Sequence, residues 1–229
     1  MKLLDLFCGA GGASVGLKNA GFNEIIGIDI NPMPEYPFKL NQIDALNTSI
    51  KEMEKADLIW ASPPCQAYSH GTIKWRKKGK EYPDLIRETR RLLQATQKPF
   101  VIENVIGAPL RKDLMLCGEM FRLKIIRHRI FECHGFKPNQ IPHKKHKNAV
   151  WNGTAIGVWG GGKPGCFGNK EKRAYYNTIV KQNKNNELKE WQNAMEIGWV
   201  NNKKTLSQCV PPKYAEYIGK EFLKTMVKV

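Results

Sequence analysis

The chain has no Cys-x-x-Cys pair, although it holds six cysteines, at positions 8, 65, 117, 133, 166 and 209. Such spacing argues against a disulfide framework and suits free thiols in a reducing compartment. No apolar run approaches the roughly 20 residues of a membrane span, so no membrane partner is expected. Met1-Lys2-Leu3-Leu4-Asp5 starts a strand pattern at once, leaving the expectation of no signal peptide and of a cytoplasmic protein. Internal repeats and low-complexity tracts are absent. Acid is scarce: 21 Asp and Glu face 37 Lys and Arg, a formal net charge of +16. That excess suits either a lysine-rich solubility surface or a surface that displaces counterions from nucleic-acid phosphates.

What is present is enough for one large domain with a modest appendage: 229 residues, 41% hydrophobic. The first 130 or so residues alternate strand and helix patterns. Apolar strands are expected over Lys2–Phe7, Glu24–Asp29, Asp57–Ala61, Pro99–Glu103 and Arg129–Cys133, with helices over Ala13–Ala20 and Asp84–Gln97. Repeated units of this length predict an α/β fold, a Rossmann-like doubly wound and mostly parallel sheet with its ligand site at the carboxyl ends of the strands. From His134 the pattern changes to a glycine-, lysine- and proline-rich stretch without periodic hydrophobics. Glu187–Ile197 is helical again, and Val210-Pro211-Pro212 opens a last helix reaching about Val227, with proline in its first turn. The expected division is residues 1–133, a small irregular insert at 134–186, and a returning helical segment at 187–229.

Four constellations bear chemistry. Leu3-Leu4-Asp5-Leu6-Phe7-Cys8-Gly9-Ala10-Gly11-Gly12-Ala13-Ser14 runs from a strand through a glycine turn into a helix, and Asp29 ends the next strand, placed for ribose hydroxyls. A purely structural glycine turn and a dehydrogenase loop remain open at this motif, although Ser14 stands where a third glycine would. Ala61-Ser62-Pro63-Pro64-Cys65-Gln66 holds a thiol in a stiff turn directly after a strand, whereas a spare cysteine is ordinarily buried. Glu103 ends an apolar strand, as a structural acid or as one whose proton matters. Arg127 and Arg129 lie at period two, on one face of an extended segment. The loop after Cys65 carries Lys74, Arg76, Lys77, Lys78 and Lys80 around Trp75 with no acid from Gln66 to Lys80, a solvated charged loop or a grip on phosphates. Cys133, His134, His143, His146 and Cys166 share one stretch, but their spacing matches no standard zinc pattern, and no metal is expected.

Taken together, Asp5–Gly12, Pro64-Cys65-Gln66, Glu103-Asn104-Val105, Arg127-x-Arg129 and Val210-Pro211-Pro212 resemble the ordered motifs of DNA cytosine-5 methyltransferases, in particular the small phage- and prophage-borne members. The resemblance covers nearly all of the first 132 residues and about the last 25. It implies transfer of a methyl group from S-adenosylmethionine to carbon 5 of a cytosine flipped out of double-stranded DNA. Cys65 would be the covalent nucleophile, Glu103 the acid toward ring nitrogen 3, kept protonated by a raised pKa, and Arg127 and Arg129 the groups orienting the base carbonyl and the carboxylate. By the same resemblance Phe7, Gly9, Ala10, Gly11, Asp29, Ile30, Asp44, Ala45, Pro64, Ser207 and Gln208 line the cofactor. Gln66, Ser69, Lys74, Arg76, Lys77, Lys78 and Lys80 would meet DNA. The chain departs from the family with Ile30 in place of an aromatic, Ile125 in place of Gln, and Ser207-Gln208 in place of Gly-Asn. The resemblance also implies a monomer in the cytoplasm of a bacterial or phage-infected cell and leaves a cognate restriction endonuclease open as a partner. A transfer-RNA methyltransferase would add a Cys-Phe-Thr signature that is absent. A binding-only relative is disfavoured by intact Cys65 and Glu103, and a dehydrogenase leaves Pro64-Cys65-Gln66 unexplained. The short insert predicts a target of ~2–4 base pairs, read by Asn and Lys residues between Lys144 and Lys184.

Overall fold

The computed structural model describes residues 1–143, 146, 155–158 and 187–226. Cys166 and all of the insert's expected Asn and Lys base readers lie outside them. Seven strands form one sheet in the order β3-β2-β1-β4-β5-β7-β6. They are β1 (Lys2–Leu6), β2 (Glu24–Asp29), β3 (Lys39–Gln42), β4 (Leu58–Ala61), β5 (Phe100–Asn104), β6 (Leu114–Leu116) and β7 (Arg129–His134). β1 pairs in parallel with β2 and β4, β2 with β3, and β4 with β5, whereas β7 runs antiparallel to both β5 and β6. The doubly wound sheet is as expected. β3, β6 and a four-residue helix α2 (Ile50–Met53) are additions that the sequence pattern did not show.

Side-chain alternation splits the core into two layers. Leu3, Trp60, Val101 and Phe131 belong to one, Leu4, Leu6, Ile59, Ala61, Ile102 and Ile130 to the other. α4 (Ile86–Ala95), which follows the short α3 (Ile73–Arg76), lies on the second face. Arg90 fixes it there: Nε and Nη2 donate to the Glu132 carboxylate at 2.9 and 2.8 Å. The first face is covered by α1 (Gly12–Ala20), α5 (Glu187–Met195), α6 (Lys203–Gln208) and α7 (Pro212–Met226).

Glycine is required where α1 meets the tail. A Cβ on Gly12 would stand 2.1 Å from the Val210 carbonyl oxygen, and one on Gly16 2.1 Å from that of Pro212. Val210-Pro211-Pro212 is therefore pressed directly against the helix that follows the glycine loop. Switch-point geometry does the rest: β1 lies between β2 and β4, so the loops after β1 and β4 leave the sheet in opposite directions and open a crevice between them.

Beneath that crevice lies a buried acid. Asp5 is 1% exposed; its Oδ2 accepts from the Ser14 hydroxyl, which also meets the Tyr36 hydroxyl at 2.8 Å, and its Oδ1 has no partner among the described residues. Burial first, then the neighbouring Asp29 and Glu103 charges, push its pKa up to about 7 against the hydrogen bond from Ser14. The folded protein therefore retains a proton that the unfolded chain releases near pH 4, and stability falls as pH rises from there to about 7. Urea midpoints measured at pH 5 and pH 8 should drop in the wild type and drop less in Asp5→Asn; equal drops would contradict the assignment.

Candidate active site

Cys65, Glu103 and Arg129 converge because one strand of the described sheet, β7, runs against its neighbours. β4 and β5 are parallel neighbours, so Cys65, four residues past Ala61, and Glu103 emerge at the same carboxyl edge. β7 runs the other way, which brings its start, Arg129, to the edge where β5 ends. Arg129 Nε lies 2.8 Å from Glu103 Oε1, with only 14% and 7% of the two side chains exposed. Asn104 secures the thiol loop: its Nδ2 donates to the Pro63 carbonyl at 2.9 Å, while its Oδ1 accepts from Val105 N–H. The Cys65 carbonyl in turn accepts from the N–H groups of Tyr68 and Ser69 at 3.0 and 2.8 Å.

The thiol is half-buried, and burial raises its pKa. Arg129 opposes that rise, Glu103 adds to it, and Arg127 opposes it more weakly. Cys65 thus rests as a thiol, held so first by burial, with the Arg129 guanidinium the largest influence toward the thiolate.

Arg127 behaves differently from Arg129. Its Nη2 donates to the Ser207 carbonyl and its Nη1 approaches the Val158 carbonyl at 3.4 Å, while Tyr214 donates its hydroxyl to the Arg127 carbonyl at 2.6 Å. Burial and the Arg129 charge lower its pKa to about 9. It ties β7 to α6 and α7 and does not join Arg129 at Glu103.

The glycine loop has three left-handed positions, Phe7 (φ 57°), Gly9 (φ 51°) and Gly11 (φ 83°). Asp29 closes it from the end of β2, with Oδ2 accepting Gly9 N–H at 3.0 Å and Oδ1 accepting from Asn31 N and Nδ2. A carboxylate offers about four acceptor sites, so Oδ2 retains capacity for a hydroxyl. Ile30 is 62% exposed beside it, and Asp44 Oδ1 accepts Leu46 N–H ahead of buried Ala45. An apolar platform, a hydroxyl acceptor and a second carboxylate side by side at this edge fit an adenosyl group. Pro64 is half-buried in the thiol loop next to the crevice.

A cavity of about 340 Å³ lies at one end of the loop, lined by Ala10, Pro32, Met33, Pro34, Glu35, Asn201, Asn202 and Thr205. Of the expected cofactor residues only Ala10 lines it. Two expectations change here. Ser207 is 5% exposed, with its hydroxyl donating to Lys204 O, and Gln208 is exposed at the end of α6. The helical turn directs Asn202 and Thr205 to the cavity instead. Trp199, which the sequence did not mark as a site residue, braces the glycine loop by donating from Nε1 to the Ala10 carbonyl at 2.8 Å.

In the loop after Cys65, Lys74, Trp75, Lys77, Lys78 and Lys80 are exposed and Gln66 and Ser69 half-buried. Arg76 instead donates to the Ser69 carbonyl at 3.1 Å and braces the loop internally. Cys133 and His134 sit on β7 away from His143 and His146, which meet Cys117 and His128.

Residues 1–113 match the model of the C-5 cytosine-specific DNA methylase family. The chain is 32% identical over 126 residues to the type II methyltransferase M.HgiGI of Herpetosiphon aurantiacus, covering 49% of this chain and 96% of that one. The chain belongs to this DNA methylase family. It is also 33% identical over 124 residues to the type II methyltransferase M.AquIA of a Picosynechococcus strain, 46% of this chain and 49% of that one. The chain spans about half or less of the length of the curated relatives it first matches. The Dnmt2 methyltransferase structure of S. pombe superimposes with a TM-score of 0.64 at 14% identity, covering 99% of each chain, and shares the methylase fold.

The balance of charges at Cys65 gives a test. Arg129→Gln removes the largest influence favouring the thiolate and leaves that of Glu103, so the thiol pKa should rise further. Iodoacetamide labelling of Cys65, followed by peptide mass spectrometry, should slow at pH 8 and shift its pH profile upward. An unchanged profile would show that Arg129 does not govern the thiol.

Proposed function

We propose that this chain is an S-adenosylmethionine-dependent DNA cytosine-5 methyltransferase with Cys65 as its nucleophile. The observation that supports this best is the convergence of a half-buried thiol, a buried carboxylate and a guanidinium at one sheet edge, beside a glycine loop. Carbon 5 of cytosine is too electron-poor to attack a methyl donor unaided. Cys65 as thiolate adds to carbon 6 and shifts an electron pair toward carbon 5. Glu103 hydrogen-bonds ring nitrogen 3 and holds a proton there as the ring accepts that pair. Arg129, paired with Glu103, orients it and favours the thiolate. Phe7, Gly9, Gly11, Asp29, Ile30, Asp44, Ala45 and Pro64 hold S-adenosylmethionine, which supplies an electrophilic sulfonium methyl. With carbon 5 carrying that methyl and the sulfonium's broken carbon–sulfur bond leaving a neutral thioether, loss of the carbon 5 proton to a base would expel Cys65 and restore aromaticity.

A stacked base cannot be reached by Cys65, so the substrate is double-stranded DNA with the target flipped out. Lys74, Lys77, Lys78 and Lys80 take phosphates on this reading, supported by their exposure around Trp75. No described helix is long and apolar enough to cross a membrane, in keeping with a cytoplasmic enzyme. Residues 1–133 form the catalytic domain, 134–186 the target-recognition insert and 187–229 the returning helical segment. The protein acts as a monomer on this reading, which leaves a cognate endonuclease open as a partner.

Methyl transfer from radiolabelled S-adenosylmethionine to DNA, with bisulfite mapping of the product, tests this. Wild type should mark cytosines, and Glu103→Gln should lose roughly 10²–10⁴ in rate, as when a general acid is removed. Near-normal turnover in Glu103→Gln would make it a structural acid, and no transfer by wild type would refute the proposal.

A further inference from the structure

Four possible metal ligands meet at the outer edge of the sheet, away from Cys65. Cys117, His128, His143 and His146 each offer one donor atom, and these atoms lie within 4.8 Å of one another. The pairing of β6 with β7 sets the first two. Leu116 faces Arg129 across the strands, so Cys117, one residue beyond, and His128, one residue before, are neighbours. Gly118 lets this turn close on Ile125, since a Cβ there would stand 2.5 Å from the Ile125 carbonyl oxygen. Side chains far from the cluster deliver the other two. Gln140 accepts Met115 N–H and donates to Met115 O, both at 3.0 Å, and so docks on the outer edge of β6. Asn139 is pinned to α7 by Glu221 and by the Tyr217 hydroxyl.

The contacts inside the cluster cannot all be hydrogen bonds. His143 Nε2 lies 3.2 Å from His128 Nε2 and 3.0 Å from His146 Nε2. An imidazole nitrogen has either one proton or one lone pair, so it cannot serve both neighbours. Three ring nitrogens and a sulfur facing one point are instead what a cation requires. The spacing agrees. Tetrahedral zinc, with bonds of about 2.05 Å to nitrogen and about 2.3 Å to sulfur, sets N···N edges near ~3.3 Å and S···N edges near ~3.6 Å. On three of the six edges the N···N contacts are 3.0 and 3.2 Å and Cys117 Sγ to His146 Nε2 is 3.6 Å, and all four donor atoms lie within 4.8 Å of one another.

We propose that Cys117, His128, His143 and His146 form a structural zinc site that clamps the start of the insert onto the strand carrying Arg129. One thiolate and three imidazoles in a closed tetrahedron select zinc over hard cations such as magnesium or calcium. Binding releases the Cys117 proton to solvent and leaves a net charge of +1, with Glu119 Oε2 3.7 Å from His146 Nε2 to offset it. His128 separates Arg127 from Arg129, so the same ion fixes the backbone that presents Arg129 to Glu103.

The test uses untagged protein purified from zinc-supplemented cells. Elemental analysis should find about one zinc per chain. Exchange for cobalt(II) should give tetrahedral d–d bands together with a thiolate-to-cobalt charge-transfer band. The paired substitution His143→Asn with His146→Asn, remote from the core strands, should reduce bound zinc to background in protein with unchanged circular dichroism. Cys117→Ser, if it folds, should lose the charge-transfer band. His134→Gln, outside the cluster, should retain the zinc. Folded wild type that neither carries zinc nor takes up cobalt would overturn the proposal, as would full zinc retention in the paired histidine variant.

Discussion

The contact between Arg129 and Glu103 is the one on which the candidate site depends. Parallel strands send their carboxyl ends to one edge but cannot return a side chain to it without reversing direction. β7 supplies that reversal, and its first residue closes on the last turn of β5 at 2.8 Å. Both groups are nearly buried, and removing one partner of such a pair typically costs about 3–5 kcal/mol through the stranded charge. A substitution at either position is therefore felt in packing as well as in chemistry. Asn104, Tyr214 and the Ser207 carbonyl serve the same end, fixing the thiol loop and Arg127 around that pair.

Much of this was legible in the sequence, for reasons of periodicity. β1, β2, β4 and β5 are short and apolar with turn residues at their ends, and α1 and α4 have clear apolar faces. β3 was not legible, because Lys39-Leu40-Asn41-Gln42 is a half-exposed edge strand with no hydrophobic alternation. β6 escaped as well, since three residues carry too little pattern. The site divides along the same line. Cys65 and Glu103 stand out because each follows or ends an apolar strand. The division of labour between Arg127 and Arg129 depends on packing against α6 and α7, which local sequence does not encode.

The Cys117–His146 cluster shows the cost of a missed strand. Its members are separated by 10, 14 and 2 residues, a spacing that fits no zinc pattern until β6 is paired with β7. The pairing puts Cys117 beside His128 at the start of β7, whereas Cys133 and His134, nearer to His143 in sequence, fall at the far end of that strand. Once the register is known, the metal site and the proposed catalytic edge are two ends of one structural element. A clamp at His128 constrains Arg129, and through it the charges around Cys65.

The central claim is that Cys65 bonds to the cytosine ring. Duplex DNA containing 5-fluorocytosine tests it most directly, because fluorine blocks the final proton removal and traps the addition product. The account predicts a denaturant-resistant protein–DNA adduct that needs S-adenosylmethionine, maps to the Cys65 peptide and is lost in Cys65→Ala. An adduct of equal yield in Cys65→Ala, or none from wild-type protein that methylates DNA, would contradict it.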